Sequence, residues 1–166
     1  MAAGNTFTAI ATQTLGSAAA SVTFSSIPST YTDLVLVIQG GDTGGDNSYV
    51  RVNGDTATNY SFTTLNGNGT TAATNRVTNA TAFRSSWYAY QTNNMNWNGM
   101  IHFMNYSNAT TYKTMLLRDN NASTGTEAMV ALWRSTSAIN SINLYWGSTD
   151  TWATGSTFSL YGILAA

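Results

Sequence analysis

The sequence predicts an all-β fold, an antiparallel two-sheet sandwich of jelly-roll type preceded by a short N-terminal arm, and three observations carry that prediction. The first is compositional. Thr, Ser and Asn make up roughly 38% of the 166 residues, Lys113 is the only lysine and Glu127 the only glutamate, so amphipathic surface helices have almost no material to be built from. The second is a period-2 alternation of apolar and polar residues that recurs in short runs along the chain. The third is the spacing of those runs, which are separated by Gly, Asn and Asp turn signals with no helical stretch between them.

Residues 1–20 combine a short alternating stretch, Phe7, Ala9 and Ala11, with a small-residue segment ending in Ala18, Ala19 and Ala20, and read as an arm outside the core. The single domain then spans residues 21–166. Its first strand carries Val22 and Phe24 and ends before Pro28, which cannot donate to a ladder. Leu34 to Ile38 is apolar at every position and rich in β-branched residues, as expected of a central strand buried on both faces or of a core strand under a covering loop. Tyr49 to Val52 runs into Asn53-Gly54, a dipeptide suited to a type I′ hairpin because both central positions need positive φ.

Tyr60, Phe62 and Thr64 alternate in the next strand, which dissolves into a loop at Asn66 to Thr71. After a polar passage, Ala82 to Tyr90 and Gly99 to Met104 read as strands, with an Asn-rich loop over Gln91 to Asn98 between them. Thr111 to Arg118, Ala128 to Trp133, Ser141 to Trp146 and Thr157 to Ile163 complete the set, with a breaker at Asp119-Asn120-Asn121. Counted from Val22 this gives about eight core strands and one inserted hairpin, the number of a two-sheet jelly roll.

Charge and composition narrow the function. With charged residues at 8%, a net charge of −1 and arginines spread singly, there is no basic stripe for nucleic acid. No apolar run approaches the roughly 20 residues of a membrane span, and the N-terminus lacks the basic residues of a secretory signal. The absence of cysteine removes disulfides, thiolate catalysis and thiolate metal sites. A surface this poor in charge guards poorly against self-association and predicts a homo-oligomer.

No catalytic constellation is visible. His102, the only histidine, has no local carboxylate or nucleophile and reads as structural. The seven acidic residues stand mostly in turns and nominate no glycosidase-like pair. The loop Gly41 to Asn47 offers oxygen atoms to a hard cation but lacks the alternating acids and terminal Glu of an EF-hand, so no metal and no cofactor is expected. Six Asn-x-Ser/Thr sequons are no more than a chain this rich in Asn, Ser and Thr produces by chance.

Aromatic residues in polar surroundings are the better functional signal. Trp87, Tyr88, Tyr90 and Trp97 lie in or beside the Asn-rich region, and together with Phe7 and Ile10 of the arm they are the expected interface residues. Core packing, and a stacking platform for sugars, are the alternatives for the Trp and Tyr residues.

Four stretches then resemble virion structural proteins of tailed bacteriophages: ATQTLGSAAASVTFSSIPSTYTDLVLVIQG at 11–40, IHFMNYSNATTYKTMLLRD at 101–119, LWRSTSAINSINLYWGS at 132–148 and STFSLYGILAA at 156–166. The resemblance covers most of the chain and lies in texture and phrase, with no catalytic signature. It implies a protein made in the host bacterial cytoplasm without a signal peptide and located in the virion. With no coiled-coil or collagen-like shaft in the sequence, it implies a capsid decoration (cement) protein, a small β-rich trimer that binds the major capsid protein through its arm and loops. The alternative is a tail-fibre or receptor-binding module recognising host surface glycans. An enzyme is not expected.

Overall fold

The computed structural model describes residues 6–42, 44, 47–86, 97–121, 123–147 and 149–164. Among them are twelve strands and no helix: β1 (Phe7–Thr14), β2 (Ser21–Phe24), β3 (Asp33–Gly40), β4 (Ser48–Val52), β5 (Tyr60–Gly67), β6 (Ala72–Ala80), β7 (Phe83–Arg84), β8 (Trp97–Met104), β9 (Lys113–Asn121), β10 (Gly125–Trp133), β11 (Ile142–Trp146) and β12 (Thr157–Ile163). They form two antiparallel sheets. The large one has the order β1-β12-β3-β8-β9-β10-β5-β6 and the small one β2-β11-β4-β7.

Alternation decides which face each strand buries. In β5 the side chains of Tyr60, Phe62, Thr64 and Asn66 are buried while their neighbours are not, and β8, β9, β10 and β12 repeat the pattern with Ile101 and Phe103, Met115 and Leu117, Met129 and Ala131, Phe158 and Leu160. The small sheet answers with Val22, Phe24, Val50, Val52, Ile142 and Leu144, and all of these belong to one apolar cluster between the sheets. The antiparallel sandwich read from the sequence is therefore the observed fold.

Several local expectations are corrected. Residues 7–14 are not a free arm: β1 pairs with β12 from Phe7↔Ile163 to Thr14↔Thr157, with a bulge at Ala9/Ala11, and forms the edge of the large sheet. Leu15 N–H then bonds Ser156 O at 2.9 Å, and Ala19 bridges to Trp152. The small Thr and Ala side chains bury little, so the apolar signal is weak although the backbone is paired through most of the strand.

Asn53 and Gly54 do adopt positive φ, 52° and 64°, and Asp55 N–H bonds Val52 O at 3.0 Å. The turn does not close a hairpin. It carries the chain from β4 in the small sheet to β5 in the large one, where the Tyr60 hydroxyl accepts from Val52 N–H at 3.1 Å and donates to Val52 O at 3.2 Å.

The polar passage at 72–80 is a strand, β6, held to β5 by backbone pairing and largely exposed, which is why it shows no alternation. Asp119 to Asn121, expected to break a strand, continue β9 up to its turn with β10. Of Ala82 to Tyr90, only Phe83–Arg84 is a described strand, and Trp97 and Asn98 belong to β8. Leu34, Val35, Leu36 and Ile38 are buried as expected, but Val37 is 36% exposed.

Candidate interaction surfaces

The expected interface residues separate into three groups. Phe7 stands on β1, 57% exposed, with its ring edge-on to Tyr161 at 6.5 Å. Ile10 is half-buried against the core. Trp87, Tyr88 and Tyr90 lie outside the described residues.

Trp97 is corrected: it is fully buried and serves neither as a surface anchor nor as a sugar platform. It occupies the inward register of β8 that continues through Gly99, Ile101 and Phe103. A Cβ on Gly99 would lie 2.7 Å from the Trp97 ring, so the glycine makes room for the indole, whose Nε1 donates to Asp119 Oδ2 at 2.8 Å. The alternation Trp97, Gly99, Ile101 was present in the sequence and was masked by the surrounding asparagines.

His102 finds a partner that sequence spacing could not supply. Its Nε2 lies 2.8 Å from Asp33 Oδ2, and Asp33 Oδ1 accepts from Asn105 N–H at 2.6 Å, tying the end of β8 to the start of β3. Both groups serve the corner between neighbouring strands.

The outer face of the large sheet is the surface that the sequence reading missed. Across β3, β8, β9, β10 and β5, one row of directly opposed residues reads Val37, Met100, Arg118, Ala128, Leu65, and the next reads Val35, His102, Leu116, Val130, Thr63. Val130 is 52% exposed, Leu65 57%, Leu116 40% and, further along β8, Met104 40%. Leu116 and Val130 are directly opposed, and Leu65 and Met104 stand diagonal to them on the neighbouring strands, with Arg118, His102 and Thr63 in the same rows. Exposed apolar side chains grouped in this way make the face a candidate interaction surface. The signal in the sequence was the unbroken apolar run: Met115-Leu116-Leu117 and Met129-Val130-Ala131 are apolar on both faces, while only one face meets the core.

A second surface lies on the outer side of the small sheet. Tyr145, Tyr49 and Arg84 stand opposite one another on β11, β4 and β7. The two tyrosine rings stack at 5.7 Å, the Arg51 guanidinium lies 4.7 Å over Tyr145 and that of Arg84 5.8 Å from the Tyr49 ring centre. This ladder borders an open groove of about 610 Å³ whose other wall is formed by Val77, Asn79 and Ala80 of β6 and the residues that follow. The ring faces meet one another and the arginine side chains.

A scan against protein-family models and a comparison with curated proteins both find no match for this chain.

Proposed function

We propose that this protein is a structural subunit of a tailed-phage virion, a capsid decoration protein that self-associates as a trimer and seats on the major capsid protein. The observation that carries the reading is the outer face of the large sheet, where Leu65, Leu116 and Val130 are exposed on paired strands. Self-association of a chain with 8% charged residues needs such a face, and closed symmetry would bury it without leaving an unpaired copy. The phage assignment rests on the resemblance of the four stretches quoted above.

The strand order supports a jelly-roll reading. With the β5–β6 and β9–β10 hairpins set aside, the sheets are β1-β12-β3-β8 and β2-β11-β4-β7, and the chain passes between them at nearly every connection. The inserted hairpins then extend one sheet only, and that extension supplies most of the apolar outer face. Because β1 is an edge strand of the sheet, contact with a capsid through a detached arm is dropped from the proposal.

A receptor-binding role is the second reading, and the groove beside Tyr49 and Tyr145 favours it. It is the weaker of the two because the ring faces that a sugar would stack on are already covered.

Two measurements test the proposal. Sedimentation of the purified chain is expected to give a trimer, and the double substitution Leu116→Glu, Val130→Glu to give a folded monomer; a monomeric wild type ends the self-association reading. Antibody labelling of intact virions is expected to decorate the head, whereas label confined to the tail tip transfers the assignment to the receptor-binding module.

A further inference from the structure

The large sheet ends in two strands that each have one side bare. β1 pairs with β12 and β6 with β5, and neither has a second neighbour in the sheet among the described residues. A row of unpaired N–H and C=O groups is a template for another strand, and soluble proteins usually blunt it with lysine, proline or inward-pointing charge. Such guards are few here. β1, FTAIATQT, has no charged residue and no proline, and β6, AATNRVTNA, carries Arg76 alone, which stands on the outer face opposite Thr63. A bulge interrupts each strand, at Ala9/Ala11 in β1 and opposite Tyr60/Phe62 in β6, and leaves regular runs at 11–14 and 72–77.

Three properties fit these two edges to each other. Their lengths match, eight residues in β1 and nine in β6. Their directions are opposite: every neighbouring pair in the large sheet is antiparallel, and with an even number of strands the first and the last run in opposite senses. A copy related by rotation about an axis along the strands therefore presents its β1 antiparallel to β6, the arrangement that continues the ladder. The bordering side chains are compatible as well. Leu65 beside β6 and Phe7 on β1 are each 57% exposed on the outer face, and Arg76 meets no charge on β1. Pairing β6 with β6, or β1 with β1, about a two-fold axis would leave the other edge bare in every copy, whereas head-to-tail pairing that closes on itself leaves none.

Resting on the self-association reading, we propose that the copies join edge to edge, β6 of one adding antiparallel to β1 of the next until three close a ring. The occupant of each edge is a second copy of this chain. Main-chain hydrogen bonds between the two strands supply the attachment, and their threonines, which favour the extended conformation, supply cross-strand pairs. β6 is exposed or half-buried at every position, so a neighbouring strand reaches it without displacing a packed element. Because β6 lies next to β5, the joint is continuous with the exposed Leu65, Leu116 and Val130.

The chain has no cysteine, so a disulfide placed across the joint reads it directly. Thr12 on β1 and Ala72, Thr74 and Arg76 on β6 are exposed and share the outer face. In the full chain, Thr12→Cys is combined with Ala72→Cys, Thr74→Cys or Arg76→Cys in turn, to cover the possible registers. After mild oxidation at least one double variant is expected to run as covalent dimers and trimers on a non-reducing gel, while each single variant, with one side of the joint only, stays uncross-linked. No linkage in any double variant, or linkage as strong in the single ones, overturns the edge pairing. Hydrogen exchange on the wild-type oligomer is the second measurement: protection at consecutive amides over 72–77 is expected, where a bare edge protects only alternate ones, and alternate protection also overturns the pairing. Sedimentation keeps the two levels apart. A wild-type trimer that fails these tests loses the edge contact and keeps the self-association reading, whereas a wild-type monomer ends both.

Discussion

Raising the pH from 5 to 8 is expected to weaken the fold, and Asp119 is the group responsible. Burial, aided by the neighbouring charge of Glu127, pushes its carboxyl from 3.8 up to about 7, against the hydrogen bonds from Ser86 and Trp97 that work in the other direction. Between those two values the folded protein holds a proton that the unfolded chain has released, so folding stability falls as pH rises through the window and levels off above about 7. One pH unit of such a difference is worth about 1.4 kcal/mol, so the two units between pH 5 and 7 amount to roughly 3 kcal/mol. Urea unfolding followed by tryptophan fluorescence, at half-unit pH steps, measures this directly. Asp119→Asn should flatten the profile and leave the variant more stable than wild type at pH 8. A flat wild-type profile, or the same slope in the variant, would refute the argument.

Two further outcomes follow from local geometry. Gly99→Ala would place a methyl group 2.7 Å from the buried Trp97 ring, and overpacking of this kind costs about 1–3 kcal/mol, read as a lower urea midpoint with an unchanged m-value. Asp55 stands in the turn after β4. Partial burial raises its pKa, but hydrogen bonds from Asn59, Trp133 and the Ala57 N–H, with the charge of Arg51, outweigh that and leave it lowered. Its contribution is therefore present above the unfolded value of about 3.9 and is lost as pH falls through the lower folded value. Asp55→Ala should cost about 2 kcal/mol at pH 7, with the difference from wild type shrinking in acid below pH 4; a constant difference down to pH 2 would contradict the assignment.

The chain by itself determined the class of fold and most of the inward-facing residues. Alternation is a local property, and the strands around Tyr60, Ile142 and Phe158 each bury the side chains that their period-2 pattern nominates. Turn chemistry was equally legible at Asn53-Gly54, where two positive φ angles are required by the residues themselves. What that turn connects was not legible: whether β4 and β5 pair or part company depends on the Tyr60 hydroxyl meeting Val52 and on β10 and β11 supplying the partner strands.

The same division runs through the surfaces. A run such as Met129-Val130-Ala131 reveals that both faces of a strand are apolar, but only the arrangement of twelve strands shows which face meets the core. Trp97 looked exposed because its sequence neighbours are polar, and became interior because Gly99 and Asp119 receive it. Asp119, Glu127 and Asn66 are far apart along the chain or placed in apparent turns, and only strand register sets them side by side. Sequence fixes what each residue can bury or donate; the tertiary structure decides which residues meet, because pairing across sheets is set by the sum of many contacts distant in the chain.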